Sequence, residues 1–230
     1  MKRLFLLIAL ICFLLKPLYS QIDSLGFEIH EKKNVDRKFI NSAKLSSSLF
    51  LISAFAMPFD KDVRSFRNNY FSSFYQTYEN YLLVAPLGIM YGMKAFGLES
   101  RSNWKEMLFV NATSLIIMEA IVFPSKTFIG RERPDGSEYV SFPSGHTATA
   151  FACAHLLHKE YGELSPWISV AGYSMATVTG VTRILNNRHW LSDVLFGAGI
   201  GILSTELSYK VKDWAFKKKN KKRIIIKEAL

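Results

Sequence analysis

Cysteine is almost missing from this chain: there are two in 230 residues, Cys12 and Cys153. If the N-terminal run that holds Cys12 is removed, no intrachain disulfide can form. That run also lacks the small residue a lipoprotein lipobox needs before its cysteine, since Ile11 stands there. Internal repeats and low-complexity linkers are absent, so the chain reads as one domain. A hydrophobic content of 49% is enough for a substantial helical core. Alternating β-branched runs are few, which argues against a sheet. Long purely aliphatic runs are missing too. The apolar segments, at about 81–98, 107–123, 147–158, 167–182 and 190–208, are helical in length, but Lys94, Glu119 and Glu206 interrupt them.

A basic body is a further absence. The net charge of +10 looks like a nucleic-acid signal until it is located. Residues 210–230 hold nine basic and two acidic side chains, and Lys2, Arg3 and Lys16 carry the rest of the excess, so 21–209 is neutral. No basic face interleaved with aromatics remains, which excludes a nucleic-acid groove and a nucleic-acid partner. A basic tail directly after an apolar segment is what the positive-inside rule expects at the cytoplasmic surface. The plainer reading is a solvated tail.

What is present points to a membrane. Lys2 and Arg3 precede the apolar stretch 4–15, and Ser20 before Gln21 offers a cleavage point, so 1–20 reads as a signal peptide, with an uncleaved anchor as the alternative. Alanines at 148, 150, 152 and 154 and the pair Gly197, Gly201 are small residues of the kind that let helices approach closely in lipid. The expected architecture is an all-α helical bundle with about five transmembrane helices, and burial within a soluble bundle is the alternative. If Gln21 starts outside, crossings at 81–98 and 107–123 return the chain outside at Lys126, and the last helix leaves the tail in the cytoplasm. That parity requires that 45–59, bounded by Lys44 and Asp60, not span, and its 15 residues fall short of the roughly 20 a bilayer needs. Phe66, Tyr70, Phe71, Phe74, Tyr75, Tyr78 and Tyr81 recur at helical intervals, which suits an interfacial helix or a face packed on the core. The domain reading is a signal peptide (1–20), a periplasmic or interfacial segment (21–79), a catalytic domain (80–209) and a basic cytoplasmic tail (210–230).

Three clusters carry chemistry: Lys126 with Arg133-Pro134, then Pro143-Ser144-Gly145-His146, then Thr182-Arg183 with His189 and Asp193. Two arginines and a lysine supply the charge-assisted donors that phosphoryl oxygens need. Two histidines can divide the roles of nucleophile and proton donor. Pro143 suits the first turn of a helix and Ser144 a cap, so that Thr147 onward is a helix whose free amides face an anion. Read alone, that tetrapeptide is an ordinary turn. His146, His189 and Asp193 could instead ligate a metal, but three cations beside them fit a phosphate better than a cation, so no metal and no cofactor is expected. His155 and His158 fit no cluster and read as packed or interfacial histidines. Arg131, Glu132, Asp135 and Arg188 read as the solvated rim, with tuning of the pocket as the alternative.

The spacing Lys126-x6-Arg133-Pro134, Pro143-Ser144-Gly145-His146 and Arg183-x5-His189-x3-Asp193 resembles the signature of the phosphatidic acid phosphatase type 2 superfamily, over 68 of 230 residues. That superfamily includes bacterial lipid phosphatases, soluble class A acid phosphatases and vanadium haloperoxidases. Thr182 stands where members usually carry serine, and the hydroxyl survives. The resemblance implies that His189 attacks phosphorus while Asp193 accepts a hydrogen bond from the ring's far nitrogen. It implies that His146 protonates the leaving alkoxide and then activates water, and that Lys126, Arg133, Arg183 and the Ser144-Gly145 backbone hold the oxygens. The implied function is a metal-independent phosphatase of the bacterial inner membrane, facing the periplasm. Its implied substrate is a lipid phosphate such as undecaprenyl diphosphate, lipid A, phosphatidylglycerol phosphate or phosphatidate. The rivals are a soluble periplasmic acid phosphatase, a vanadium haloperoxidase and a catalytically silent lipid-binding protein.

Overall fold

The computed structural model describes residues 31–228, with side chains from 39 to 216. The expected signal segment 1–20 lies outside the described residues, as do the side chains of the tail beyond Phe216. Among the described residues every regular element is helical: α1 (Glu31–Ala56), a 3₁₀ turn (Met57–Phe59), α2 (Asp60–Tyr70), α3 (Glu79–Leu82), α4 (Ala85–Ala95), α5 (Trp104–Ile129), α6 (Gly145–Tyr161), α7 (Pro166–Leu185) and α8 (Leu191–Glu228). The all-α class expected from the apolar segments is the class that forms.

The long helices outrun their apolar stretches because polar flanking residues act as caps rather than breaks. Asn103 Oδ1 accepts the Glu106 amide at 3.0 Å and so starts α5. Gly130, at φ 56°, ends it in the left-handed conformation that a residue with a Cβ adopts only at a cost.

Helix α8 packs on α1, α5 and α6, and α6 packs also on α4, α5 and α7. The α6–α8 crossing depends on small residues. A Cβ at Gly197 would strike the Ser144 carbonyl, and one at Gly201 the Ala148 carbonyl. Ala148, Ala150, Ala152 and Ala154 are fully buried, so backbone meets backbone as the small-residue pattern led one to expect. Larger side chains fill the two ends, with Met118, Val122 and Ile200 toward Lys126 and Met107, Leu156, Leu157 and Tyr161 toward the tail.

Three stretches are long and apolar enough to cross a membrane: Phe39–Tyr70, Trp104–Ile129 and Leu191–Phe216. The first corrects the expectation that 45–59 cannot span. Lys44 and Asp60 looked like its ends, but helix continues through Lys44, and Asp60 is buried against other elements. Helix α1 runs antiparallel to α8. Ser53 Oγ donates to the Ser192 carbonyl at 2.8 Å near one end, and the Lys210 ammonium lies 3.4 Å from the centre of the Phe39 ring at the other. The start of α1 and the basic end of α8 therefore share one end of the bundle. A scheme in which Gln21 begins outside and only 81–98 onward crosses does not accommodate a crossing by 39–70.

The aromatic stripe is not one helix either. Helix α2 stops at Tyr70, and 71–78 runs irregularly across the end of α7 before α3 begins. Arg67 pins this stretch by donating to the Leu185 and Phe74 carbonyls at 2.8 and 3.2 Å, and Gln76 and Asn186 exchange two hydrogen bonds at 2.9 and 2.7 Å. Two of the three interrupting charges, Lys94 and Glu206, find partners inside the fold, and Glu119 is exposed. Lys94, in the last turn of α4, donates to the Ser102 carbonyl at 2.8 Å. Buried Glu206 accepts from Lys159 at 2.8 Å and faces His155 Nε2 at 2.8 Å. His155 and His158, the latter facing Ser169 Oγ at 2.8 Å, are packed histidines, as expected.

Candidate active site

The three clusters meet at the end of the bundle opposite the tail. Lys126 comes from the last turns of α5, Arg133 from the loop before α6, His146 from the first turn of α6, Arg183 from the end of α7, His189 from the turn before α8, and Asp193 from the first turn of α8. Charge on Arg183, His189, Lys126 and Arg133 all reaches His146. The Lys126 side chain passes close to Gly145, where an added Cβ would sit 3.8 Å from its Cε. Every residue that the motif spacing singled out is brought together.

His189 is 3% exposed. Its Nδ1 lies 2.7 Å from the Ser141 carbonyl, and a carbonyl can only accept. Nδ1 therefore carries the hydrogen, which leaves the Nε2 lone pair free. The expected partner, Asp193, has its nearest oxygen 3.8 Å away, beyond hydrogen-bond reach. The reason is that His189 precedes helix α8, and Asp193 turns back to cap that helix. Its Oδ2 accepts the Trp190 amide at 3.0 Å and the Ser141 hydroxyl at 2.5 Å. Asp193 thus orients the nucleophile candidate through Ser141, whose carbonyl does what the carboxylate was expected to do. Burial, against the pull of nearby Asp193, holds the His189 imidazole below its ordinary range.

The motif around Ser144 differs from expectation in three details. Helix α6 starts at Gly145 rather than Thr147, and Pro143 precedes the cap instead of filling the first turn. The Ser144 hydroxyl bonds Thr147 Oγ1 at 2.9 Å rather than a backbone amide. The Ser144 amide is already engaged by the Asp193 carbonyl at 3.1 Å, so it is not available to an anion. The first-turn amides of Gly145 and His146 have no carbonyl one turn back and keep the helix-start character.

One cation is held by a carbonyl, and the two arginines each pair with a carboxylate while keeping a buried nitrogen unpartnered. Lys126 Nζ donates to the Val140 carbonyl at 2.7 Å. Arg133 pairs with Glu138 at 3.0 Å, while its buried Nε is unpartnered. Arg183, 9% exposed, donates to Glu79 Oε1 at 3.2 Å, and its Nε is likewise buried and unpartnered. Thr182 bonds the Tyr78 hydroxyl at 3.3 Å. His146 sits at the mouth with Nε2 3.0 Å from Asn80 Oδ1. It lies at the helix start, outside the three long apolar stretches. Burial, followed by the charges of Arg183, His189, Lys126 and Arg133, holds its imidazole down to about 4.

The reading of Arg131 as rim is overturned. It donates to Asp193 Oδ1 and Asp60 Oδ2, both at 2.6 Å, and to Ser192 Oγ at 2.7 Å. Asp60, 3% exposed, also accepts the Ser192 amide at 3.0 Å and its hydroxyl at 2.5 Å. It caps α8 from 132 residues away in sequence. Asp60, Glu79, Asn80 and Ser141 were not singled out in the sequence. For Asp60 and Glu79 the available signal was a carboxylate beside an aromatic or apolar stretch. Arg188, by contrast, bonds Asp135 at 2.9 Å near the surface, which is the rim reading. Among the described residues no three His, Cys, Asp or Glu side chains come together as a metal cluster.

Two histidines and three cations thus gather at one end of an all-helical bundle. Residues 106–217 match the profile of the PAP2 superfamily. It is 47% identical over 176 residues to a lipid A 1-phosphatase of Porphyromonas gingivalis, covering 75% of this chain and 40% of that protein. It is 29% identical over 133 residues to phosphatidylglycerophosphatase B of Bacillus subtilis, covering 52% and 63%. The chain thus spans less than two thirds of the length of either relative. Among solved structures, LpxE of Aquifex aeolicus overlaps 64% of this chain and 93% of its own at 22% identity, TM-score 0.49. A PAP2-type phosphatidylglycerolphosphate phosphatase of Bacillus subtilis overlaps 78% and 94% at 23% identity, TM-score 0.42.

Proposed function

We propose that this chain is a metal-independent phosphatase of a lipid phosphate that works through a phosphohistidine. The observation that carries the reading is the Ser141 carbonyl on His189 Nδ1, which leaves Nε2 as a lone pair among Lys126, Arg133 and Arg183. Nε2 attacks phosphorus, the P–O bond to the lipid breaks, and His146 gives the departing oxygen its proton. Water then attacks phosphorus and gives a proton to His146, the P–Nε2 bond breaks to return the lone pair to His189, and inorganic phosphate leaves. The cations stabilise charge on the equatorial oxygens, which is greatest in the transition state. The relatives named for lipid A 1-phosphate and phosphatidylglycerophosphate support a lipid substrate, and a lipid A 1-phosphate is the first to test. By the positive-inside rule, the basic tail would lie in the cytoplasm and the site would face the periplasm from the bacterial inner membrane.

The test is phosphate release by detergent-purified protein from a panel of lipid and soluble phosphates, with EDTA present throughout. Turnover of a lipid phosphate that falls about 10⁴-fold or more in His189→Ala is the expected result. Turnover confined to soluble phosphomonoesters, or dependent on an added divalent ion, overturns it.

A further inference from the structure

Helix α3, the single turn Glu79–Leu82, belongs to none of the three motif clusters, yet two consecutive residues on it reach into the site. Glu79, 2% exposed, accepts from Arg183 Nη1 at 3.2 Å and from Asn186 Nδ2 at 3.0 Å. With the exchange between Gln76 and Asn186, these bonds fix the turn against the end of α7. Asn80, the next residue, presents Oδ1 to His146 Nε2 at 3.0 Å. We propose that Asn80 is a positioning residue for the proton donor His146, holding Nε2–H so that Nδ1 is the nitrogen that gives and takes the proton.

An amide oxygen only accepts, so contact with it requires a hydrogen on Nε2. In the neutral ring the lone pair is then on Nδ1. In the imidazolium Nε2–H stays on Asn80, and the Nδ1–H bond breaks as the O–H bond of the leaving alcohol forms. The ring is left with Nδ1 unprotonated, which is the form that can take the proton of the incoming water. One fixed tautomer serves both half-reactions. The groups facing His146 from the surrounding elements are Lys126 of α5, Arg133 of the preceding loop, Arg183 of α7 and His189 before α8. All four are cationic or can become so. Asn80 adds a hydrogen-bond acceptor without adding charge, so the ring is oriented while the pocket keeps its positive field for phosphate.

This inference rests on the proposed role of His146, and the experiment separates the two. Values of kcat/KM are measured in detergent with the full chain for His146→Ala, Asn80→Ala and Asn80→Asp. Two substrates are used: an alkyl or sugar phosphate, whose leaving alkoxide needs a proton, and p-nitrophenyl phosphate, whose leaving group hardly does. Asn80→Ala should lose about 10-fold or more on the first and at most about 2-fold on the second, a split that a merely structural role does not produce. Asn80→Asp places a carboxylate on Nε2, so it should retain activity and move the pH limb set by His146 upward. Equal losses on both substrates, or an unmoved pH limb in Asn80→Asp, overturn the positioning role. Full alkyl-phosphate activity in His146→Ala overturns the reading of the proton donor itself, and the inference falls with it.

Discussion

At the scale of single residues, the site is a set of buried and half-buried groups whose protonation depends on what fills it. His146 is held near 4 because burial, followed by Arg183, His189, Lys126 and Arg133, which are cationic or can become so, disfavours a further positive charge. A phosphate dianion in the pocket opposes that field. In protein labelled with ¹⁵N-histidine, His146 should therefore titrate well below 6.5 when the pocket is empty and move upward when phosphate or vanadate is added; no change on adding either anion would contradict the shared pocket. The sign for stability follows from the same shift. The unfolded chain takes up the proton near 6.5 and the folded chain only near 4. The folded state is thus fully favoured above 6.5 and loses that advantage as pH falls through the window between the two values. The midpoint of thermal unfolding should drop on acidification across that window, less so with vanadate bound. Arg131 is the other residue with a large expected effect. Its removal leaves Asp60 and Asp193 buried without a counter-charge, and Arg131→Ala should cost about 3–5 kcal/mol, read as a lowered denaturation midpoint in detergent, with Arg131→Lys intermediate.

At the scale of elements, the sheer closeness of α6 and α8 does the positioning, since one carries His146 and the other Asp193. Gly201 faces the Ala148 carbonyl, so Gly201→Leu must push the helices apart. It should destabilise by about 1–3 kcal/mol and lower activity although no pocket residue is altered; unchanged thermal unfolding and activity would refute the close crossing. Helices α4 to α8 were legible because an apolar stretch marks each, whereas α2 and α3 are short and polar and were not, and the site was legible because its members sit at fixed intervals on or beside adjoining helix ends. What the pattern of spacing did not reveal was contact at a distance. Asp60 meets Ser192 across 132 positions and Glu79 meets Arg183 across 104, and no local period records such pairs. Asp60 was misread for a physical reason: a charge ending an apolar run usually marks a water boundary, whereas here an arginine and a helix start are buried with it. The expected bond between His189 and Asp193 failed similarly, because an interval of four means one helical turn only if both residues are helical.

At the scale of the whole molecule, the bundle has two unlike ends. One gathers the pocket, and the other holds the loop around Arg101, which packs over Tyr209, and the start of the basic stretch at Lys210 and Lys212. About 19 residues of α8 separate Asp193 from Lys212, roughly 28 Å at 1.5 Å per residue, which is close to the thickness of a bilayer's hydrocarbon core. Single cysteines at Ser137, Glu99 and Asn220, with Cys12 and Cys153 replaced by alanine, should therefore separate in intact spheroplasts. A membrane-impermeant thiol reagent should reach Ser137→Cys and spare the other two until the membrane is opened. Uniform labelling, with the protein released by osmotic shock, would instead favour the soluble phosphatase.

The buried acids of the N-terminal third have a consequence for transplantation. Moving the stretch from Lys126 to Asp193 into another helical scaffold would carry over every signature side chain. It would strip Arg131 of one of its two carboxylates, leave Arg183 without its acidic neighbour, and take away the amide that faces His146. Such a graft would satisfy any search for the signature and still lack the tethers that hold its members in place. A working transplant has to bring Asp60, Glu79 and Asn80 with it.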